Sequence, residues 1–310
     1  MKNMICVVGP TASGKTELAI RLAEALDGEI VSCDSMQIYR RMDIGTAKPT
    51  KEEQARCRHH MIDVAEPDEE FSVGRYVEMA DRCVQDIFSR GKTAVVVGGT
   101  GLYCDALVLG RRFAPHPETG KRELLQQRCE KEGSEALLRE LAAIDPETAA
   151  RLHAGDQKRI IRALEVYYET GRTISFHNAE TQKIPPKYHP VRLCIDFEDR
   201  AELYARIDRR VEKMREAGLD EEVRRLLAEG VCENTTAMQA IGYKELVACE
   251  KGELSRDEAY ALIAQHSRNY AKRQLTWFRR NENNVRLVRN AACTDEELFC
   301  MARQHIPFFA

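Results

Sequence analysis

The sequence predicts an α/β fold in which a parallel sheet is flanked by helices and interrupted by an all-helical insertion. Two observations support this. Short apolar runs alternate with helical periodicity through roughly the first 110 residues, and helix then follows helix, with no strand pattern, from residue 115 to residue 186. Apolar strands joined by helical crossovers are typical of parallel sheets that are covered on both faces.

The first part of the chain contains three short runs rich in Val and Ile, at residues 4–8, 29–33 and 93–97, which we predict to be buried strands. Helical spacing of apolar residues marks the segments 17–26 and 73–89 between them. Ligands of parallel sheets bind beyond the carboxyl ends of the strands. We therefore expect a site where these three strands end.

The helical block predicts helices at residues 118–132, 134–143 and 156–169, and Pro185-Pro186 then breaks the chain. The predicted core consists of residues 1–114 and 187–310, and the predicted insertion of residues 115–186. After the insertion we expect a strand that returns to the sheet, three long helices, and a tail with one strand and one helix. These lie at residues 191–197, 200–217, 220–229, 256–280 and 281–310.

A phosphate-binding motif follows the first predicted strand and precedes the first predicted helix: Gly9-Pro10-Thr11-Ala12-Ser13-Gly14-Lys15-Thr16. It has the pattern of a glycine, four residues, and then Gly-Lys-Ser/Thr. The glycines let the backbone fold around a phosphate, and the helix N-terminus presents free N–H groups to it. We expect all eight residues to bind a diphosphate or triphosphate, Lys15 to neutralise its charge and the Thr16 hydroxyl to hold Mg²⁺. The fold is thus predicted to be P-loop NTPase-like.

Polar segments also follow the other two predicted strands. Asp34-Ser35-Met36-Gln37 follows the second, and Gly98-Gly99-Thr100-Gly101 follows the third. An acid at a strand end next to a phosphate loop is a candidate general base or outer Mg²⁺ ligand, although Asp34 could equally cap a turn. Thr100 could donate to a phosphate or hold a substrate, and the alternative is a loop of flexible glycines. We expect the three loops to form one site.

Composition limits the class of protein. The chain has 310 residues, a formal net charge of −3 and 43% apolar residues, as in an ordinary soluble domain. The eleven cysteines include no Cys-x-x-Cys pair, so we expect reduced thiols without a zinc or redox motif. No apolar run approaches the length of a membrane span. We expect a cytoplasmic protein that acts as a monomer, although the sequence itself leaves the oligomeric state open.

Basic segments suggest a nucleic-acid partner. Lys158-Arg159-Ile160-Ile161-Arg162 places two arginines one helical turn apart, and Lys121-Arg122 opens another helix of the insertion. Five basic residues and no acid lie between Arg268 and Arg280, with Trp277 among them. Such side chains position phosphodiester backbones, and aromatic rings stack on unpaired bases. Taken singly, each segment could be only a solvated helix face.

Seven motifs in this order resemble the tRNA dimethylallyltransferase (isopentenyltransferase) family of bacterial type. They are the phosphate loop, Asp34-Ser-Met-Gln-Ile-Tyr39, Asp43-Ile-Gly-Thr-Ala-Lys-Pro49, His59-His60, Val97-Gly-Gly-Thr-Gly-Leu-Tyr103, Arg162-Ala-Leu-Glu-Val166 and Lys272-Arg-Gln-Leu-Thr-Trp-Phe-Arg279. The resemblance runs from Met4 to about Arg280. It implies transfer of a dimethylallyl group from dimethylallyl diphosphate to the exocyclic N6 amine of the adenine 3′ of the anticodon, with diphosphate released.

The resemblance also implies residue roles. Asp34 takes the proton from the attacking amine, Thr11 and Thr100 line the substrate channel, and Lys15 stabilises the leaving diphosphate together with Mg²⁺. Arg122, and also Arg206 or Arg210, help hold the diphosphate. The family's tRNA contacts correspond to Asp34, Ser35, Met36, Gln37, Thr100, Lys158, Arg159, Ile160, Ile161, Arg162, Lys272, Arg273, Trp277 and Arg279. The helical insertion would contact the tRNA anticodon stem-loop.

Three alternatives stay open from the residues alone. The phosphate loop by itself is compatible with a nucleotide kinase, which would have no use for the basic helix around Trp277. A prenyltransferase acting on free AMP or ADP would not need an extended basic surface. A non-catalytic RNA-binding protein could use the loop as a nucleotide switch, and Asp34 at a strand end favours a catalyst over it.

Overall fold

The computed structural model describes residues 3–111, 113 and 119–309, which form two compact units. The first unit consists of Met1–Val108 and Tyr188–Ala310, and the second of Leu109–Lys187. The second division lies one residue from the predicted boundary at 186/187. The predicted boundary at 114/115 lies outside the described residues, as does the predicted start of a helix at residue 118.

A six-stranded parallel sheet forms the centre of the first unit, in the order β3-β2-β4-β1-β5-β6. Its strands are β1 Met4–Val8, β2 Gly28–Ser32, β3 His59–His60, β4 Thr93–Gly98, β5 Val191–Phe197 and β6 Val285–Arg289. Every residue of β1, β2 and β4 is buried, as expected for strands of a parallel sheet that is covered on both faces. The predicted parallel sheet is confirmed, including the return of β5, which pairs with β1. The two-residue strand β3 was not predicted.

Helices pack around this sheet. They are α1 Lys15–Ala25, α2 Lys51–Arg56, α3 Val73–Ser89, α4 Gly101–Leu109, α10 Arg200–Glu216, α11 Leu219–Ala228, α12 Tyr243–Glu250, α13 Arg256–Arg279 and α14 Asp295–Arg303. Several begin with side-chain caps. Ser255 and Glu258 form a reciprocal capping box at the start of α13, and Ser72 accepts from the backbone N–H of Arg75 at the start of α3. These signals agree with the helix starts predicted at residues 73 and 256.

The second unit is helical in its described part. Its helices are α5 Lys121–Glu132, α6 Ser134–Ile144, α7 Pro146–Ala149, α8 Gln157–Thr170 and α9 Ile174–Gln182. They enclose a separate apolar core to which α5, α6 and α8 contribute Leu125, Leu137, Leu141, Ile160 and Leu164. The predicted all-helical character is confirmed for the described residues, whereas the short helices α7 and α9 were not predicted. Among the described residues, no helix has both the length and the apolar character needed to cross a bilayer.

One buried carboxylate holds a turn of the first unit in place. Glu222 of α11 is 3% exposed and accepts hydrogen bonds from the backbone N–H groups of Asp43, Ile44 and Gly45 at 2.9 to 3.2 Å. The hydroxyl of Tyr243 donates to the same carboxylate at 2.6 Å. The Tyr243 ring also lies against Gly45, where an added Cβ would come within 2.4 Å of it. This contact explains the glycine of the Asp43–Pro49 motif.

We expect Glu222→Ala to destabilise the first unit by about 3 kcal/mol or more, because it leaves several backbone donors and the Tyr243 hydroxyl without a partner. Urea unfolding followed by fluorescence would measure the change in midpoint. The neighbouring Glu221 is exposed on the same helix, so Glu221→Ala serves as the control and should change stability by less than about 0.5 kcal/mol. Equal midpoints for the two variants would contradict the assignment of Glu222 as the anchor of this turn.

Candidate active site

The three loops predicted to converge do meet at one edge of the sheet. β2, β4 and β1 are neighbours, so their carboxyl ends lie side by side. A small cavity of about 70 Å³ there is lined by Lys15, Thr16, Asp34, Gly98 and Gly99, among others. A larger cavity of about 340 Å³ also has Asp34 in its wall. The predicted convergence of the three loops at the strand ends is confirmed.

The phosphate loop has the backbone geometry that its glycines suggest. Gly9 and Gly14 have φ values of 147° and 90°, and a Cβ on Gly9 would lie 2.7 Å from the carbonyl oxygen of Ile195. Helix α1 begins at Lys15, directly after Gly14, and no side chain caps its N-terminus. The first N–H groups of the helix are thus not taken by a capping side chain, as an anion-binding site requires.

Cationic side chains surround the loop. The Lys15 ammonium donates to the Pro10 carbonyl at 2.5 Å, and burial together with the nearby Arg210 guanidinium lowers the pKa of Lys15 to about 8. Arg206 donates to the carbonyl of Ala12 at 2.8 Å, and Arg289 donates to the carbonyl of Ser13 at 3.1 Å. These two arginines hold the outer side of the loop.

Arg210 has a different environment from Arg206. It lines both cavities, and within the part of the chain that the structure describes it makes no hydrogen bond and no ion pair. Burial lowers its pKa, while the Asp34 carboxylate acts in the opposite direction. Of the two arginines that the resemblance suggested, Arg210 is the one that lines both cavities, and its guanidinium is available there to a bound anion.

Asp34 both shapes a turn and faces the cavities. One carboxylate oxygen accepts the backbone N–H of Met36 at 2.9 Å, so Asp34 does cap a turn. Its other oxygen receives no hydrogen bond from any described residue, and the half-buried side chain lines both cavities. Asp34 can therefore keep its position while its second oxygen accepts a proton.

Two of the three loops are joined by further hydrogen bonds: the loop after β2, which contains Asp34 and is called the second loop, and the loop after β4, which contains Thr100 and is called the third loop. Thr100 accepts the backbone N–H of Ser35 at 3.0 Å and donates to the Ser35 hydroxyl at 3.2 Å. Gln37 accepts the Ser32 hydroxyl at 3.0 Å and donates to the carbonyl of Ala47 at 3.2 Å. Thr100 thus ties the third loop to the second, whereas Gln37 braces the second loop from behind.

The larger cavity is lined by both polar and apolar side chains. Thr11, Asp34, Ser35, Arg210, Lys244 and Arg273 are among the polar ones. The apolar lining, which we call the apolar wall, consists of Met36, Ile207, Val211, Met214, Ala240, Ile241 and Ile263. Tyr270 of α13 lines both cavities, and burial, with the nearby Asp34 carboxylate, raises its pKa to about 12. A ligand with a charged head and a short hydrocarbon group would match this chamber.

Two cationic positions of the second unit are exposed, and two apolar ones are not. Lys158 and Arg159 are exposed on α8. Ile160 and Ile161, predicted to contact RNA, are 1% and 8% exposed and pack in the core of the unit. This corrects the expectation for those two side chains, because helical periodicity turns them inward between the charged positions. Arg162 pairs with Glu165 at 2.8 Å.

Arg122 also pairs with Glu165, at 3.1 Å. Glu165 is buried in α8, so the ion pair fixes the start of α5 within the second unit. The predicted role of Arg122 in holding the diphosphate stays a prediction.

Some of the predicted RNA-contacting residues of helix α13 are simply exposed, and others form hydrogen bonds to acidic side chains. Lys272 and Arg273 are exposed, and Arg273 also lines the larger cavity. The Trp277 indole donates to Asp105 at 2.8 Å and lies against Gly101, yet it stays 39% exposed. Arg279 is also exposed and makes two hydrogen bonds to the buried Asp196, and its predicted RNA contact stays a prediction.

Gln274 and Arg289 were not identified as site residues from the sequence. Gln274 is 5% exposed and bonds to both the phosphate loop and the third loop. The sequence did indicate that Gln274 is buried, because the spacing of Ala271, Leu275 and Phe278 places it on the buried face of α13. Arg289 ends a short edge strand, and nothing in the local sequence indicated that it reaches the phosphate loop.

The donor set at the loop suits a hard cation. Among the described residues, no cluster of three or more His, Cys, Asp or Glu side chains could hold a metal by itself. The small cavity nevertheless presents oxygen donors, the Thr16 hydroxyl and the Asp34 carboxylate. Mg²⁺ prefers oxygen ligands and is commonly shared between a few protein groups and substrate phosphates. These residues therefore fit Mg²⁺ that arrives with a phosphorylated ligand.

Comparison with known proteins identifies relatives along the whole chain. A family model described as IPP transferase matches residues 37–281. The tRNA dimethylallyltransferase of Acetivibrio thermocellus is 43% identical over 310 residues, covering 100% of this chain and 99% of the relative. The tRNA dimethylallyltransferase 1 of Citrifermentans bemidjiense is 51% identical over 283 residues, covering 91% of this chain and 90% of the relative.

Two solved structures are also similar. The full-length tRNA isopentenylpyrophosphate transferase of Bacillus halodurans has a TM-score of 0.73 and 36% identity, with 100% of this chain and 98% of that chain covered. A eukaryotic dimethylallyltransferase, solved acting on tRNA, has a TM-score of 0.78 and 29% identity, with 92% and 74% covered. Because the family model spans most of the sequence and both bacterial relatives align over nearly all of it, the chain belongs to the IPP transferase family of tRNA dimethylallyltransferases.

Proposed function

We propose that this protein transfers a dimethylallyl group from dimethylallyl diphosphate to the N6 amine of the adenine directly 3′ of the anticodon in tRNA, releasing diphosphate. The observation that carries the proposal is the larger cavity, which is lined by seven apolar side chains as well as by Thr11 of the phosphate loop, Asp34 and Arg210. A prenyl diphosphate joins a charged group to a short hydrocarbon, so it can use both kinds of lining. The names of the relatives agree with it.

The leaving group accounts for the cations. As the bond between the prenyl carbon and oxygen breaks, negative charge develops on the diphosphate. Lys15 and Arg210 line the small cavity beside the loop and would stabilise that charge without rearranging. Mg²⁺, held by the Thr16 hydroxyl and diphosphate oxygens, would supply further charge neutralisation.

The nucleophile accounts for Asp34. The adenine amine attacks the first prenyl carbon, a C–N bond forms as the C–O bond breaks, and the amine must lose one proton. The second oxygen of Asp34 is free to accept that proton while the first stays bonded to the N–H of Met36. An exocyclic aromatic amine is a weak nucleophile, so positioning by Thr100 and the Asp34 turn adds to the rate.

The macromolecular substrate accounts for the exposed charges. Lys272 and Arg273 on α13, and separately Lys158 and Arg159 on α8, are exposed cations suited to a phosphodiester backbone. The target base would leave the loop stack to enter the cavity, at a cost of a few kcal/mol. The same proposal includes action as a monomer in the cytoplasm, as expected from the sequence.

Transfer of label from radiolabelled dimethylallyl diphosphate tests the reaction. With Mg²⁺ present, we expect label in unmodified tRNA, none in AMP, and release as N6-dimethylallyl adenosine on nuclease digestion. A tRNA with guanine in place of the target adenine is the matched control and should stay unlabelled, as should tRNA incubated with EDTA. Label in AMP alone, or ATP hydrolysis without any transfer, would reject the proposal.

We expect Asp34→Asn to lower turnover by about 10²- to 10⁴-fold, because the amide cannot accept the proton. Its side-chain carbonyl still accepts the Met36 N–H, so the turn and the affinity for tRNA should be kept. Turnover and tRNA binding would be measured on the same preparation. Asp68→Asn changes an exposed loop acid and should behave as wild type. Wild-type turnover in the Asp34 variant would refute the general-base role.

The lowered pKa of Lys15 gives a pH dependence. Below about pH 8 the ammonium is protonated in the free enzyme and attracts the diphosphate. As pH rises through about 8 the charge is lost, so kcat/KM for dimethylallyl diphosphate should fall by about tenfold per unit. Measurement from about pH 7 to about pH 9.5 would show this decline. In Lys15→Arg the cation persists, and kcat/KM should be lower overall but flat; the same decline in both proteins would exclude Lys15 as its source.

A further inference from the structure

The side chain of Gln274 joins two loops that come from distant parts of the chain. Its amide oxygen accepts the backbone N–H of Thr11 at 2.8 Å, and its amide nitrogen donates to the carbonyl of Gly99 at 2.8 Å. The residue is 5% exposed on helix α13. A buried amide with one donor and one acceptor satisfied in this way is held in a single orientation.

The Gln274 amide also packs closely against the backbone of Gly99 in the third loop. A Cβ added to Gly99 would lie 2.2 Å from the Gln274 nitrogen, so the close approach of backbone and amide requires glycine there. The N–H of Thr11 is committed to Gln274 and is not among the phosphate-loop donors left for an anion. The contact therefore sets where the loops stand, and the diphosphate uses other groups.

The two hydrogen bonds of the Gln274 amide connect it to the leaving-group side and to the general-base side of the proposed reaction. Thr11 belongs to the phosphate loop, which faces the leaving group. Gly99 precedes Thr100, whose hydroxyl holds Ser35, the residue after Asp34. The Gln274 amide is thus the hydrogen-bonded link between the leaving-group side and the general-base side of the cavity.

We propose that Gln274 is a positioning residue that fixes the phosphate loop relative to the loop carrying Thr100, and so fixes the prenyl diphosphate relative to Asp34 and the attacking amine. The inference rests on the proposed prenyl transfer. Its physical basis is that transfer between two bound reactants depends steeply on their separation, and a small displacement costs much of the rate.

The chemistry of the amide makes the role testable. In Gln274→Glu the side chain keeps its shape, and an ionised carboxylate still accepts the Thr11 N–H. It cannot donate to Gly99, however, and it faces that carbonyl with negative charge. A protonated carboxyl restores the donor. Burial beside a carbonyl, and the Asp34 carboxylate of the same cavity, raise the pKa of such a group, whereas the cations Lys15 and Arg210 lower it; His59 and Tyr270 are the other titratable groups that line this cavity. The defect should therefore diminish as pH falls.

The experiment compares wild type, Gln274→Glu and Gln265→Glu, which makes the same change at an exposed position of the same helix. For each, kcat, KM for dimethylallyl diphosphate, the Kd for tRNA and the thermal midpoint are measured at several pH values. We expect kcat of Gln274→Glu to fall by about tenfold or more at neutral pH, to recover relative to wild type at lower pH, and tRNA affinity to stay within about twofold. Gln265→Glu should match wild type throughout.

The outcomes separate cleanly. If wild type labels tRNA and Gln274→Glu keeps its kcat, or loses kcat only in proportion to its thermal stability and without recovery at low pH, the positioning role is refuted. Should Gln274→Glu not fold, Gln274→Met removes both hydrogen bonds without adding charge. A folded Gln274→Met with wild-type kcat would then overturn the inference, and one with reduced kcat and unchanged tRNA affinity would support it. Failure of wild type to label tRNA would instead reject the proposed function.

Discussion

The concentration of positive charge around the phosphate loop is the constraint on which the rest of the site depends. Arg206 and Arg289 each donate to a loop carbonyl, while Lys15 and Arg210 lie near each other in the same small cavity, and burial lowers the pKa of Lys15, Arg206 and Arg210. Their mutual repulsion and desolvation reduce the stability of the folded protein. A bound polyanion relieves that cost, and the relief grows as charge develops on a departing diphosphate. In the proposed reaction, this arrangement would therefore stabilise the transition state in which diphosphate departs.

The apolar wall strengthens the same effect. Met36, Ile207 and Ile263 line the cavity that Arg210 and Asp34 also face. Water is a poor competitor in such a chamber, so each charge acts over a lower effective dielectric than at the surface. A hydrocarbon group bound there would displace further water. A bound hydrocarbon group would therefore bury apolar area and also strengthen the electrostatic interactions of the cavity's charged groups. In the proposed reaction, this links the affinity for the prenyl group to the stabilisation of its leaving group.

Much of this could be predicted from local sequence, and some of it could not. The strands at residues 4–8 and 191–197 and the helix at 73–89 follow from apolar runs, periodicity and a capping serine, and the phosphate loop follows from its spacing. By contrast, Glu222 holds a turn nearly 180 residues away, and Arg289 reaches the phosphate loop from an edge strand. No propensity encodes such contacts. The burial of Ile160 was visible in its helical spacing, but the charges beside it drew the interpretation toward RNA.

Helix α13 shows why the site requires the C-terminal part of the first unit. Tyr270 and Gln274, about one turn apart, both line the small cavity, while Lys272 and Arg273 are exposed next to them in sequence. A helix is stiff over this length, so its exposed cations cannot move independently of the amide that joins the two loops. Whatever contacts those cations, the backbone of the phosphate loop and of the Thr100 loop is held to the same rigid element. A single helix therefore carries both the exposed cations that we propose contact tRNA and the amide that we propose aligns the reacting groups.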